Sequence, residues 1–314
     1  GHYPPASSRY CEVEGTGKIS RDNDDSKVAC SKLKVKAEIG LIELIKAGIK
    51  FILDRVDWKN ASEFNSGYRS VATNTKHSSA AINNGLRSAA INNGDQSAAI
   101  NDGDHSAAIN NGDWSAATNA GDHSAAINNG LRSAAINNGD WSAAINTGPQ
   151  SAAINNGLRS AAINDGDQSA AINTGEQSAA INNGDWSAAI NTGPQSAAIN
   201  NGDQSAAINN GLRSAAINIG NWGAATNIGN WSAAINIGDW SAAIVEGWES
   251  VAMAIGYKSK AKGALGCWLV LAEWDGEGKH IIDVQCRKVD GENIKADTWY
   301  QLIDGEFKEA EVKP

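Results

Sequence analysis

Ser79-Ala80-Ala81-Ile82-Asn83-Asn84-Gly85-Leu86-Arg87 is followed directly by Ser88-Ala89-Ala90-Ile91-Asn92-Asn93-Gly94-Asp95-Gln96, and the same nine-residue unit recurs with small changes to about Ile244. An unbroken short period specifies a stack of near-identical layers, because each unit can bury its surface only against its neighbours. Read in register, units begin at every ninth residue from Ala61 to Ser259, 23 in all. The outer units degenerate, as in Ser250-Val251-Ala252-Met253-Ala254-Ile255-Gly256, which is expected of layers that meet different neighbours. The expected fold class is all-β: a parallel β-solenoid, a flattened β-roll of nine-residue repeats.

Within a unit written Ser, Ala, Ala, Ile, Asn, x, Gly, x, x, alternate side chains of an extended segment face opposite ways. The second-position Ala and the fourth-position Ile therefore share one face, and Ser, the other Ala and Asn share the other. Large apolar side chains at the fourth position, including Phe64 and Met253, place the Ala and Ile face in the interior on this reading. Burying each Ile there contributes about 1.5 to 3 kcal/mol before chain entropy is counted. Glycine occupies the seventh position of every unit from Ala61 to Lys258 except at Lys76, which reads as a turn requiring positive φ. The Asn two residues earlier bonds its own backbone at the bend or its copy in the next layer. Two units per coil give a rod of about 55 Å at about 4.8 Å per layer, with three units per coil the alternative.

The repeats divide the chain into residues 1–60, 61–267 and 268–314. In the first region, Tyr10-Cys11-Glu12-Val13-Glu14 alternates like a strand, and Ile39, Ile42, Ile45, Ile49, Ile52 and Val56 recur at helical steps. The expectation is an N-terminal α/β cap containing one amphipathic helix over Ala37–Val56. The last region has strand-like runs at Trp268–Leu271, His280–Val284 and Thr298–Leu302, separated by Asp275-Gly276 and Asp290-Gly291. With a further turn at Asp304-Gly305, it reads as a C-terminal β cap covering the end of the stack.

Several function classes are disfavoured. A formal charge of −9 argues against a general nucleic-acid binder, although an acidic rod could imitate nucleic acid. Cys11, Cys30, Cys267 and Cys286 follow no metal-site or disulfide spacing. No apolar run reaches the about 20 residues of a membrane span, and no signal peptide is visible, which favours a cytoplasmic or phage-associated location. Leu86, Leu131, Pro149, Pro194 and Asn221 interrupt the eighth-position Asp residues, so a calcium ladder is not expected. His105 and His123, beside Asp104 and Asp122, stack on one edge under the two-unit reading and form the one conceivable metal pocket. Exposed turn histidines are the simpler interpretation. No catalytic constellation stands out, and no cofactor is expected.

The ninth-position tryptophans Trp114, Trp141, Trp186, Trp222, Trp231 and Trp240 are the candidate partner-binding turns, since exposed aromatics bind partners as well as cover layers. Together with flat repetitive faces they point to a non-enzymatic structural or adhesion protein that self-associates or binds a repetitive surface. An outer face of Ser, Ala and Asn would also suit ice or a polysaccharide lattice, and an acidic DNA mimic is a further alternative.

Ser241–Gly247, Ser250–Tyr257 and Lys262-Gly263-Ala264-Leu265-Gly266 resemble the β-roll repeats of trimeric autotransporter adhesin heads and of some phage fibres. Arg9-Tyr10-Cys11-Glu12-Val13-Glu14, the Ser-Ala-Ala units, Gly263–Trp268 and Ile294–Tyr300 resemble, over nearly the whole chain, an uncharacterised bacterial and phage family, a domain of unknown function. That resemblance implies a further N-terminal segment ahead of Tyr3 and a bacterial or phage origin, and it names no activity.

Overall fold

The computed structural model describes residues 10–21, 28–39 and 62–310, which fall into two compact units divided between Arg55 and Val56. In the first, β1 (Tyr10–Arg21) and β2 (Val28–Ile39) form an antiparallel hairpin. The helix expected over Ala37–Val56 is not supported. Its first residues, Ala37 to Ile39, end β2, where Ile39 pairs with Tyr10, and the rest lies outside the described residues.

In the second unit one four-residue strand recurs every nine residues, from β3 (Ser62–Asn65) and β4 (Val71–Asn74) to β24 (Val251–Ala254) and β25 (Lys260–Gly263). Successive strands alternate between two sheets, so Ala125 pairs in parallel with Ala107 on one side and Ala143 on the other. The 18-residue offset means two units per coil and about 12 coils. The parallel β-solenoid is thus as expected. β26 (Trp268–Trp274) continues one sheet in parallel with β24, and β27 (Ile281–Lys288) turns back antiparallel to make it thirteen-stranded. The hairpin of β28 (Tyr300–Ile303) and β29 (Glu306–Glu309) completes the other as a fourteen-stranded sheet. These antiparallel strands are the C-terminal β cap.

The parity of each strand is as expected, but the faces are exchanged. The third-position alanines from Ala72 to Ala261 are 0–1% exposed, and Asn83 to Asn236 at the fifth position and the first-position serines from Ser79 to Ser259 are buried. The fourth-position isoleucines lie on the outer faces, mostly half-buried among their neighbours. The reason is geometric. Four-residue strands joined by five-residue turns bring the sheets too close for a side chain larger than alanine at the third position, and the centre between them is close-packed on methyl groups. Ile and the second-position Ala take the other side of the pleat.

Nearly every buried Ser and Asn of the stack has an axial partner. Asn110 Oδ1 accepts the Gly112 N–H at 3.2 Å, while its Nδ2 donates to the Gly112 carbonyl at 3.0 Å and to Asn128 Oδ1 in the next coil at 2.8 Å. Along one edge this chain runs from Asn92 to Asn236. Ser106 Oγ accepts the Ser88 N–H at 2.8 Å and donates to the carbonyls of Asp104 and Gly85. Such satisfaction is what makes a polar interior tolerable. In the first coils Asn74 Nδ2 is buried without a partner and Asn83 Nδ2 donates to the carbonyls of Ser70 and Ala89. Farther along the ladders break once: Gly223 replaces the serine above Ser205, and Asn209 Nδ2 is buried without a partner. Asn227, above it, donates instead to the carbonyls of Ser214 and Ala233.

Glycine at the seventh position is required for a reason other than the expected one. None of these glycines has positive φ; the left-handed residue is at the ninth position, with φ between 50° and 58° from Arg69 to Lys258. A Cβ on Gly202 would instead collide with the Gly184 carbonyl oxygen in the coil below. Lys76 belongs to the first coil, whose preceding layer would start before the repeats do. Gly202→Ala should therefore lower the unfolding midpoint by the equivalent of at least about 2 kcal/mol, whereas Gln204→Gly, which relieves a left-handed side-chain residue, changes it by less than about 1 kcal/mol. Denaturant melts of the two variants separate a steric requirement at the seventh position from a conformational one. In the same melts Asn209→Ala should cost about 1 kcal/mol less than Asn173→Ala, because Asn209 already lacks an axial donor bond.

Candidate functional site

Repetition gives the solenoid two flat faces and two long edges. The faces carry second- and fourth-position side chains, Ala and Ile through most of the stack, so they are apolar. The Ser and Asn ladders that a hydroxyl- or amide-reading lattice binder would need are inside. On the thirteen-stranded face the series runs from Val71 and Thr73, through Ala143 and Ile145, to Val251 and Met253. It continues onto Trp268 and Val270 of β26, and onto Lys288 and Cys286 of β27, their register partners. Lys288 is the one charged side chain in that series. The fourteen-stranded face ends differently, on Lys260 and Lys262, whose ammonium groups lie 4.9 and 5.3 Å from the Trp299 ring centre.

The edges carry the eighth- and ninth-position side chains. Where Asp holds the eighth position, its Oδ1 accepts the backbone N–H of the residue one coil on: Asp104 takes Asp122 at 2.9 Å, Asp122 takes Asp140 at 2.9 Å and Asp140 takes Leu158 at 2.8 Å. This accounts for the irregular pattern. Pro149 and Pro194, lacking an N–H, follow Leu131 and Glu176 in the coil below rather than Asp. Carboxylates are spent on these axial bonds in runs of at most three, broken by Leu, Pro and Asn, so no continuous acidic stripe forms.

The six candidate tryptophans all stand exposed at left-handed ninth positions, four on one edge and two on the other. Trp141 is held between the His123 ring, 6.2 Å away and parallel, and the Arg159 guanidinium at 4.7 Å. Trp231 lies between Arg213 at 5.7 Å and Trp248 at 5.0 Å, and its Nε1 donates to Glu249 Oε2 at 3.0 Å. Trp114 carries Arg132 at 4.8 Å, and Trp240 carries Lys258 at 4.3 Å with Tyr257 edge-on. These rings are layers of the edge, with faces turned along the rod axis towards their neighbours. Trp186 and Trp222, 62% and 61% exposed, are the most open. His105 and His123 stack at 5.0 Å with nearly parallel rings, and no group of three or more His, Cys, Asp or Glu suited to a metal occurs among the described residues.

One long groove, of about 1090 Å³, runs where an edge meets the thirteen-stranded face. Its floor is the Ser and second-position Ala ladder, and its wall is His123, Trp141, Arg159, Gln177, Gln195 and Arg213. Arg159 Nε donates to Gln177 Oε1 at 2.9 Å, which holds the wall together between its aromatic layers. Sequence reasoning missed this face by assigning Ala and Ile to the interior, and missed Trp248, the one tryptophan at an eighth position on these edges. The signal that could have found the face is the unit Ser259-Lys260-Ala261-Lys262, whose lysines at the second and fourth positions are incompatible with burial.

In the cap, Asp290 accepts Asn293 Nδ2 at 2.9 Å and the backbone N–H groups of Ile294, Glu292 and Asn293 at 3.0, 2.9 and 2.8 Å, which hold its carboxyl well below the usual carboxylate range. Burial pushes the Cys267 thiol up, and it donates to the Gly247 carbonyl at 3.0 Å. All four cysteines are free. No helix among the described residues is long and apolar enough to cross a membrane.

Residues 1–47 match the model of a family described as a domain of unknown function, DUF7666. The match takes in the β1–β2 hairpin and ends before the first repeat, so it covers far less than the near-full-length resemblance expected from the sequence. No curated protein and no solved structure shows significant similarity to the chain. The β-solenoid itself is consistent with a structural role.

A depressed carboxyl contributes stability that is present above the unfolded-state value of about 3.9 and lost as pH falls below it. Thermal melts at constant ionic strength should therefore show the cap weakening from about pH 4 downward, and Asp290→Asn should flatten part of that acid loss.

Proposed function

We propose that the protein is a non-enzymatic structural rod that works by self-association through its flat sides, with the edge tryptophans as secondary contacts. The observation that carries this reading is the outer surface of the stack, an Ala and Ile ladder repeated at the spacing of parallel strands. Monomeric proteins rarely expose a contiguous apolar patch beyond about 300–600 Å². Thirteen strands at about 4.8 Å, each about 13 Å wide, make a face of about 800 Å². A uniform layer sequence also leaves little means of building one concave, chemically distinct pocket, and the edges spend their carboxylates and aromatics on their own neighbours. Such a surface is suited to lying against another extended surface of the same period.

Sedimentation equilibrium and light scattering across a concentration series provide the test. Discrete oligomers or filaments are expected at micromolar concentration, with little sensitivity to salt because the contact is apolar. A protein that stays a monomeric rod at high concentration would overturn the reading.

A further inference from the structure

Resting on that reading, we propose that the thirteen-stranded face is the site of a parallel, two-fold dimer with a second copy of this chain. Three observations select the face, the partner and the direction.

The two faces are chemically unequal. The fourteen-stranded face terminates in Lys260 and Lys262 over Trp299, whereas the thirteen-stranded face runs on through Val251, Met253, Trp268 and Val270 to Cys286. Val284, which pairs with Ala272 beyond Cys286, is exposed. The series on this face therefore reaches the thirteenth strand with Lys288, beside Cys286, as its one charge. Its area of about 800 Å² is what one partner contributes to an interface of standard size, about 1,600 Å² in total. A second copy is the occupant because it alone presents an equal length of Ala and Ile rows at an identical axial repeat. Fourth-position side chains of one face can then settle over the smaller second-position rows of the other along the whole rod, as in the dry packing of paired sheets.

The direction follows from the groove. The wall of His123, Trp141, Arg159, Gln177, Gln195 and Arg213 rises along one long side of this face only. A two-fold axis parallel to the rod puts the two walls on opposite sides, so each flanks the open side of its partner and the contact closes as an isologous pair. A two-fold axis across the rod would bring both walls to the same side, where their raised side chains meet one another and hold the faces apart. In the parallel pair every residue on the face lies opposite the same layer of its partner. Cys286, exposed and in register with Val270, then lies close to Cys286 of the second copy; in an antiparallel pair it would lie at the far end, over the first coils.

The natural chain supplies one test and substitution the other. A short bis-maleimide should join Cys286 to Cys286 in the wild-type dimer, identified by peptide mass spectrometry and absent in Cys286→Ser. Ile145→Lys combined with Ile181→Lys, which places charges on the thirteen-stranded face, should weaken association at least about 100-fold. Ile172→Lys combined with Ile190→Lys, on the other face, should leave it unchanged, with circular dichroism reporting that both variants keep the fold. Association that survives the first pair and is lost in the second overturns the choice of face. A stable dimer that yields no Cys286 cross-link overturns the parallel arrangement. A wild-type chain that never associates overturns the self-association reading as well.

Discussion

The sheets of this solenoid approach so closely that only a methyl group fits between them, and the rest of the molecule follows from that constraint. It selects alanine at the third position of every complete layer and excludes isoleucine from the inside. It also leaves too little apolar area at the centre to hold the stack by burial alone, since alanine removes little surface from water. Cohesion then comes from bonds that run along the axis: parallel strand pairing, the serine ladder, the asparagine ladder and the aspartate contacts at the turns. Each is repeated coil after coil, and each makes the coil's polar groups useful where a globular core would have excluded them.

The same narrowness moves the large aliphatic side chains outward and so determines what kind of surface the protein has. Inside, amides and hydroxyls are engaged, apart from Asn74 in the first coil and the break at Gly223 and Asn209. Outside, the isoleucine rows shield one another only along the strand direction and remain open above. A fold that inverts the usual distribution of polar and apolar groups in this way has a polar-bonded interior and an apolar exterior, which is the physical basis of the proposed self-association.

Much of this was legible in the chain. Period, strand position, two-unit coiling and the β cap all follow from the spacing of Ser, Ala, Asn and Gly. The inside–outside assignment does not, because hydrophobicity and volume point opposite ways: Ile82 and its copies are the only regular large apolar residues, and a wider core would take them. Lys260 and Lys262 contradict that choice within the sequence itself. The glycine requirement was read as conformational when it is steric, because a contact between Gly202 and the Gly184 carbonyl exists only once the coil is closed. The spacing of Ile39 to Val56 suggested a helix, yet its opening residues are captured by hairpin pairing with β1, a case of tertiary context overriding local periodicity. The edge tryptophans were found, but their engagement with Arg, His and Lys one coil away could not be seen without the 18-residue alignment.

Because successive coils are almost interchangeable, the rod has no intrinsic length. An 18-residue block can be duplicated or deleted and the two cut surfaces will still fit, which makes reach an adjustable quantity, changed in increments of one strand spacing by recombination within the gene. The same interchangeability makes a shift of one full coil nearly cost-free during folding, so phase has to be supplied by the few irregular places: prolines that tolerate only certain neighbours below them, the interrupted amide column, and the end structure that terminates the array.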